Sequence, residues 1–254
     1  MPTERDPDAL TLRPAVAEDV SDVSEVYLSA RGASAPAMPA PVHDVDAVRG
    51  HLATVREHKE MWVAEDAGGR DVAAFAVLGD HWLDDLYVHP RRQRQGIGSA
   101  LLDLTKARMP DGFSLWVFET NSTARRFYRR HGLVELERTD GAGNEEHAPD
   151  IRMAWPGADP MAFWRREIDD VDCALAGLLD RRAALTGEVQ RLKRGAGQPG
   201  RDPAREAEIV NRMATLAPRL GREALTRIMA TIITETLGTA SDRLGSGGGR
   251  PEPD

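Results

Sequence analysis

The sequence is poor in cysteine and in long apolar runs, and each shortage excludes a class of protein. The one cysteine, Cys173, has no second cysteine to pair with, which excludes a disulfide-stapled secreted domain. No apolar run approaches the roughly 20 residues that span a bilayer, and the polar N-terminus does not resemble a signal peptide. We therefore expect a cytoplasmic protein with no membrane partner.

Basic residues are outnumbered by acidic ones, 33 to 41. The net charge is −8, whereas nucleic-acid-binding proteins need a basic face, so no nucleic-acid partner is expected. Of the 33 basic residues only three are lysines, namely Lys59, Lys106 and Lys193. In a chain that otherwise uses arginine, the position of each lysine carries some information, because the two side chains are not interchangeable.

The first 155 of the 254 residues alternate short apolar runs with amphipathic stretches. This alternation predicts an α/β (α+β) domain, with a mixed sheet covered by helices. Prolines predict a loop at 31–44, and glycines predict turns at Gly68-Gly69 and Gly79-Asp80. Strands are expected at 10–15, 61–66, 71–79, 82–89, 114–118 and 151–155, and helices at 19–30, 45–58, 98–109 and 122–131.

The remaining residues predict an all-α, three-helix domain. Asp159 and Pro160 suit the start of a helix, and shorter helices follow from Asp202-Pro203 and near 222–243. The domains are therefore expected at 1–155 and 161–244, with a linker at 156–160 and a disordered tail at 245–254. The first helix has an apolar seam over roughly 50 Å: Ile168, Val171, Leu175, Leu178, Leu185, Val189 and Leu192.

A glycine-containing run, Gln93-Arg94-Gln95-Gly96-Ile97-Gly98, follows a predicted strand and opens a predicted helix. Glycines at such a junction let backbone N–H groups approach a phosphate, and the helix N-terminus adds partial positive charge. The run therefore indicates a pyrophosphate cradle, although a plain glycine-rich turn has the same residues.

Together with a second run, ETNSTARRFYRRHGL, this motif makes residues 10–155 resemble the GNAT acetyltransferases. Gln93, Gly96 and Gly98 match the family's first signature, and Asn121, Ala124, Phe127-Tyr128 and Gly132-Leu133 match its second. The resemblance implies acetyl-CoA as co-substrate and N-acetylation of an unknown amine. It implies these CoA-binding residues: Leu86, Tyr87, Val88, Gln93, Arg94, Gln95, Gly96, Ile97, Gly98, Ser99, Asn121 and Ala124.

The resemblance also implies that Tyr128 protonates the departing thiolate, because a tyrosine pKa lies just above that of a thiol. The alternative is that Tyr128 only packs its helix on the sheet. Asp84, Asp85 and Glu119 stay open as general bases. The acidic run at 143–150 either attracts a cationic amine to a pocket mouth or is a solvated loop; its polar residues are Asn144, Glu145, Glu146 and Asp150.

Cationic side chains occur at defined positions of the long helix. Arg182 lies at a core spacing between Leu178 and Leu185, where a charge is costly unless it is paired. Lys193 points the same way about 16 Å further on, whereas Arg165 is rotated by about 100°. A helix of this length cannot bury its seam against two shorter helices. We therefore expect a homodimer in which Arg165 reaches into the partner's site, or else a plain coiled coil with snorkelling cations.

Residues 160–240 resemble the AroQ-type chorismate mutases, a family of intertwined all-helical dimers. The matching segments are Arg165 to Asp172, Leu178 to Arg182, Val189 to Lys193, Arg201 to Glu206 and Met229 to Thr236. In this family chorismate rearranges to prephenate by a pericyclic shift, so no cofactor and no metal are expected in the helical domain. The family's catalytic roles fall on Arg182, Arg165 of the partner subunit, Lys193, Asp202, Arg205, Glu206 and Thr236.

In these roles the two arginines clamp carboxylates of a chorismate-like dianion, and Lys193 donates to the breaking ether oxygen. Asp202 and Glu206 hold the ring hydroxyl, Arg205 supports the site and Thr236 contacts a carboxylate. One position departs from the family, because Ala240 stands where a Gln or Glu is the second donor to the ether oxygen. Loss of one such donor costs on the order of 10²–10³ in rate.

The leading hypothesis is a bifunctional mutase and acetyltransferase that takes chorismate or an analogue such as 4-amino-4-deoxychorismate. Ala240 keeps two alternatives open. In one, the helical domain cleaves isochorismate as an isochorismate-pyruvate lyase. In the other, it only binds a shikimate-pathway metabolite, dimerises and regulates the acetyltransferase.

Overall fold

The computed structural model describes residues 10–66, 71–195 and 201–245. The turn predicted at Gly68-Gly69, the N-terminal tail at 1–8 and the tail beyond Gly245 lie outside the described residues. The chain divides into two compact units, Met1–Arg165 and Arg166–Asp254. The first unit includes the first turn of the long helix, because Phe163 is buried there against Gly112. The predicted domain boundaries stay a prediction.

In the described part of the first unit, seven strands form one sheet in the order β1-β2-β3-β4-β5-β7-β6. Neighbouring strands are antiparallel except for β4 and β5, which are parallel. The strands are β1 Leu10–Pro14, β2 Glu60–Asp66, β3 Val72–Gly79, β4 Trp82–Val88, β5 Phe113–Phe118, β6 Val134–Arg138 and β7 Asp150–Trp155. The helices are α1 Val20–Ala33, α2 Val45–His58, α3 Ile97–Arg108 and α4 Ser122–Arg130.

Helices cover both faces of the sheet, which confirms the predicted fold class. On one face, Leu101 and Leu102 of α3 pack with Phe113 and Leu115 of β5 in a buried cluster. On the other face, residues of α1 and α2 pack around Phe75 of β3. Strand β3 is apolar along its whole length because it is buried on both faces.

Two elements differ from the prediction. Strand β6 was not predicted, because its sequence VELER carries three charged residues and its apolar content is low. It pairs only with β7 at the sheet edge, where polar side chains are tolerated. Helix α1 runs to Ala33, three residues into the predicted loop, and brings Arg31 into a buried position.

Strands β4 and β5 separate soon after they meet. Their pairing is limited to Trp82 opposite Ser114, so the later part of β4, from Leu86 to Val88, pairs with β3 alone. On the β3 side the register shifts by one residue, which makes Asp84 the extra residue of a bulge. The split and the bulge lie side by side, and together they position the first candidate site.

The second unit contains most of α5 Pro160–Gly195, followed by α6 Pro203–Leu216 and α7 Gly221–Gly245. Helices α6 and α7 pack through Val210, Leu225, Met229 and Ile233. The predicted seam of α5 is solvent-exposed in the single chain, with side chains between 47% and 65% exposed from Ile168 to Leu192. No helix in the described part of the chain is long and apolar enough to cross a membrane.

Candidate active sites

The loop before α3 has the backbone conformation of an anion cradle. Arg94 and Gly96 both have positive φ, of 64° and 83°, so the chain turns sharply just before Ile97. Helix α3 begins with Gly96 as its N-cap and has no side-chain cap. The first N–H groups of a helix have no intrahelical partner, so those of α3 are available to a phosphate.

The predicted CoA-binding residues mostly surround one cavity of about 1540 Å³. Two do not line it: the Ile97 side chain is buried in the core, and the Gln95 side chain donates to Arg91 O at 3.4 Å. Asn121 lines the cavity and also caps α4, because its side chain accepts from Ala124 N. The predicted residues that line the cavity are Leu86, Tyr87, Val88, Gln93, Arg94, Gly96, Gly98, Ser99, Asn121, Ala124 and Tyr128.

The cavity passes through the sheet at the split between β4 and β5. Its lining includes Leu115 and Val117, which face the α3 side, and also Trp116 and Phe118, which alternate with them and face the opposite side. A thioester that enters over α3 is therefore accessible to an acceptor from the other face of the sheet.

Asp85 lies beside the split and is partly buried. Burial raises the pKa of its carboxyl to about 6, and the neighbouring carboxylate of Asp84 adds to this effect. The other two candidate bases are already paired. Asp84 accepts from Lys59 Nζ at 2.9 Å, and Glu119 accepts from Arg138 at 2.5 Å. Asp84 and Asp85 line the cavity, whereas Glu119 is not among the described residues that line it.

Tyr128 of α4 is buried and lines the same cavity. Burial raises the pKa of its phenol well above the ordinary tyrosine value. The hydroxyl therefore stays protonated near neutral pH and can donate a hydrogen bond to a leaving thiolate. Full proton transfer from this phenol to a thiolate is less favourable than from an unperturbed tyrosine, because burial moves the pKa of Tyr128 further above that of a thiol.

The acidic run at 143–150 is held to the rest of the first unit by its own carboxylates. Glu146 accepts from buried Arg31 at 2.7 Å, and Glu145 pairs with His43 at 2.9 Å. Asp150 accepts from Thr139 and from Asn144. These contacts place the loop against the cavity and leave Glu146 already paired with a cation.

In the second unit, the structure brings together two of the predicted site residues. Arg182 of α5 donates to the hydroxyl of Thr236 on α7 at 2.5 Å, and Thr236 is buried. Lys193 lies eleven residues after Arg182 on the same side of the helix and is partly buried. This inward side of α5 is polar or small at Arg182, Ala183, Thr186, Gly187, Gln190 and Lys193.

The predicted residues Asp202, Arg205 and Glu206 lie at the N-terminal end of α6, where Glu206 forms a second cluster with Arg201 and Thr234. Glu206 accepts two hydrogen bonds from Arg201, at 2.8 and 2.6 Å, and Arg201 also donates to Thr234. Asp202 caps α6 by accepting from Arg205 N at 3.0 Å. The Arg205 side chain is exposed and pairs with Glu208. Thr234 and Thr236 differ by about 200° around α7, so this cluster contacts a different side of α7 from Arg182.

Comparison with known protein families assigns a segment of each unit. Residues 57–135 match the acetyltransferase (GNAT) domain model, and residues 164–239 match the model of chorismate mutase type II.

The chain carries a GNAT acetyltransferase domain and a chorismate mutase type II domain.

Similarity to individual proteins concerns the acetyltransferase domain. Peptidyl-lysine N-acetyltransferase YiaC of Escherichia coli (strain K12) is 29% identical over 99 residues, which cover 38% of this chain and 64% of that protein. The chain thus spans slightly less than two thirds of this curated relative. The solution structure of apo-form YjaB from Escherichia coli has a TM-score of 0.50 and 18% identity, over 59% of this chain and 99% of that one.

A phosphinothricin acetyltransferase of the GNAT superfamily from Sinorhizobium meliloti, in complex with AcCoA, has a TM-score of 0.48. It is 19% identical and covers 60% of this chain and 91% of that one. Both family models describe enzymes, which confirms the prediction that the chain is an enzyme.

Sequence reasoning overlooked one buried polar residue in the mutase domain and one cation in the acetyltransferase domain. Gln190 is only 7% exposed and lies one turn before Lys193 on the inward side of α5. Its spacing of three from Lys193 was a usable signal. Arg31 is 5% exposed and contacts Tyr27, Pro39 and Glu146; its partner in the acidic run is 115 residues away, so no local pattern indicated it.

The conformation of Gly96 in the acetyltransferase domain leads to a test of the cradle. A side chain at its positive φ costs roughly 1–2 kcal/mol, so we expect Gly96→Ala to raise the KM for acetyl-CoA about tenfold. Gly50→Ala is the matched control, because Gly50 lies in α2 away from the cavity lining and a Cβ there meets nothing within 4 Å. Its KM should stay within about twofold of wild type. An unchanged KM in Gly96→Ala would show that this loop does not hold CoA.

Proposed function

We propose that the chain is a bifunctional enzyme. One domain transfers the acetyl group of acetyl-CoA to a primary amine, and the other rearranges chorismate, or a close analogue, to a prephenate-type product. The first activity is supported by the cavity that crosses the sheet at the β4–β5 split. The second is supported by the contact between Arg182 and Thr236 on the inward side of α5.

Acetyl-CoA is proposed to bind along the α3 side of the cavity. Its pyrophosphate is a dianion and suits the uncapped N-terminus of α3 and the turn at Arg94 and Gly96. The pantetheine arm has amide groups that can pair with an unpaired strand edge. Leu86 to Val88 present such an edge because β5 has separated from β4.

The acceptor amine attacks the thioester carbonyl carbon, and a tetrahedral intermediate forms. Asp85 takes the proton that the nitrogen loses, because its carboxylate lines the cavity and is not held in an ion pair with Lys59, unlike Asp84. The C–S bond then breaks, the acetyl group stays on nitrogen and CoA leaves as thiolate. Tyr128 donates a hydrogen bond to this sulfur.

In the mutase domain the reaction is an intramolecular rearrangement and needs no nucleophile from the protein. It holds a dicarboxylate in a compact conformer and stabilises charge on the breaking ether oxygen. Arg182, with Thr236 beside it, suits a carboxylate, since a guanidinium binds one bidentately. Lys193 donates to the ether oxygen. Gln190 lies one turn from Lys193, and we assign its amide the second donor role that Ala240 cannot fill.

A second copy of the chain is proposed to cover the exposed face of α5. Seven apolar side chains there are about half exposed or more, and such a contiguous apolar face on a single chain marks an interaction surface. A twofold pairing of α5 helices buries the same residues from both chains. It also allows Arg165, which is exposed in one chain, to enter the site of its partner.

Co-expression of two inactive variants tests this shared site. Arg165→Ala and Lys193→Ala each remove one cation, and both homodimers should lack mutase activity. In a mixed dimer one site receives intact Arg165 and Lys193 from different chains. With random pairing, half of the dimers are mixed and each has one good site, so about a quarter of wild-type activity should return. Arg166→Ala co-expressed with Lys193→Ala is the control, since its own homodimers should keep activity. No recovery in the first pair would contradict a shared site.

Ala240 favours a second candidate for the helical domain, namely cleavage of isochorismate or binding without turnover. The products decide between them. Prephenate from chorismate supports the mutase, salicylate with pyruvate from isochorismate supports a lyase, and saturable binding with neither product supports a regulatory module.

For the acetyltransferase domain, a peptidyl-lysine is one candidate acceptor, because the curated relative is a peptidyl-lysine N-acetyltransferase. The cytoplasmic location stays a prediction.

A further inference from the structure

Two tryptophans form a wall where β4 and β5 meet. The rings of Trp82 on β4 and Trp116 on β5 stack with centroids 6.3 Å apart and planes 11° from parallel. The guanidinium of Arg152 on β7 lies 5.9 Å from the centroid of Trp82. Each ring is therefore fixed by a neighbour, and the indole of Trp116 has a defined orientation.

Trp116 lines the cavity and remains 43% exposed. Its neighbours in β5, Leu115 and Val117, are buried on the α3 side, so Trp116 lies on the opposite face, where an acceptor enters. An indole held flat by stacking and left open in a cavity offers a large rigid surface to a ligand. Packing of the domain itself does not explain this exposure.

The register places Trp116 level with Asp85 across the split. Trp82 is opposite Ser114, and Trp116 follows two residues later on β5. On β4, Asp84 is the extra residue of the bulge, so Asp85 occupies the position two steps after Trp82 in the ladder. Asp85 pairs with Val77, which belongs to the core on the face opposite α3. Asp85 and Trp116 are therefore on the same face and at the same height.

The charges on this side of the cavity favour a cation over an anion. Asp85, Glu146 and Asp150 line it together with Arg31. Arg31 already donates to Glu146, to the Tyr27 hydroxyl and to Pro39 O, so its positive charge is compensated within the protein. A ligand entering here meets an aromatic plane and an excess of carboxylate.

We propose that the acceptor is an arylalkylamine, a primary amine joined to an aromatic ring by a short alkyl chain, with the ring stacked on Trp116 and the nitrogen at Asp85. This inference rests on the proposed acetyltransferase activity and specifies its substrate class. A peptidyl-lysine has a flexible aliphatic arm, which gains less from a flat indole than a planar ring does. Trp116 thereby acts as a specificity-determining residue.

The test compares 2-phenylethylamine with 2-cyclohexylethylamine, which has a similar size and amine but no planar ring. With the full chain and acetyl-CoA, we expect a higher kcat/KM for the aromatic amine. Trp116→Ala should reduce that value about tenfold and abolish the preference. Trp116→Phe, which keeps an aromatic plane, should retain most of it. A lysine-containing peptide is the third acceptor.

Three results would overturn the inference. Equal use of the two small amines, or preference for the peptide, with no effect of Trp116→Ala, would show the acceptor class to be wrong while acetyl transfer itself stands. Acetylation of none of the three, in a protein that still binds acetyl-CoA, would remove the proposed function together with the inference.

Discussion

Replacement of Lys193 by alanine should lower the turnover of chorismate by a factor on the order of 10²–10³. The ammonium is the group assigned to the ether oxygen, where negative charge develops only as the bond breaks. Its loss therefore affects the transition state more than the bound substrate. The loss should appear in kcat, with KM changed far less. Disappearance of chorismate, followed with the full chain, measures both constants.

Lys59→Ala is the control for this prediction, and Gln190→Leu tests the second donor. Lys59→Ala removes a lysine that pairs with Asp84 in the other domain, and mutase turnover should not change. Gln190→Leu keeps the size of the side chain but removes its donor, and should also lower kcat if the amide replaces the missing donor at position 240. A Lys193→Ala enzyme with nearly wild-type kcat would contradict the assigned role.

Replacement of Asp85 by asparagine should lower acetyl transfer by about 10²–10⁴, the usual contribution of a general base. Asparagine preserves the shape of the side chain but cannot take the proton. The kcat/KM for the amine in wild type should also depend on the ionisation of Asp85. The pKa of this carboxyl is raised to about 6 by burial and by Asp84.

The sign of the pH dependence follows from the role. A base acts in its ionised form, so kcat/KM should fall about tenfold for each pH unit below the pKa of Asp85. In Asp85→Asn the fall in kcat/KM that is due to protonation of Asp85 should be absent. Asp84→Asn is the matched control: the fall should persist but move to lower pH, because Asp84 raises the pKa of its neighbour. An unchanged acid limb in Asp85→Asn would exclude Asp85 as the base.

The sequence predicted the long helix correctly but placed Arg182 on the wrong side of it. The apolar seam from Ile168 to Leu192 correctly indicated a helix, because a period of 3–4 residues is a local property. The seam was expected to include Arg182. In the structure Arg182 is on the inward, polar side, and the apolar residues face outward. A periodic pattern identifies an apolar face but does not say which surface covers it.

In the acetyltransferase domain, local motifs were likewise more predictable than distant contacts. The run from Gln93 to Gly98 indicated a cradle, since turn and helix start are encoded within a few residues. The choice among Asp84, Asp85 and Glu119 was not available from sequence. It depends on the bulge in β4, on Lys59 just before β2 and on Arg138 at the end of β6, which take up their positions only when the whole sheet assembles.

The central claim is that one chain carries two independent active sites. The most direct measurement assays acetyl transfer and chorismate turnover in the same preparations of wild type, Asp85→Asn and Lys193→Ala. We predict that wild type performs both reactions, that Asp85→Asn loses only acetyl transfer and that Lys193→Ala loses only chorismate turnover. Wild-type protein that binds acetyl-CoA but leaves chorismate unchanged, or a single substitution that abolishes both activities in a folded protein, would contradict the account.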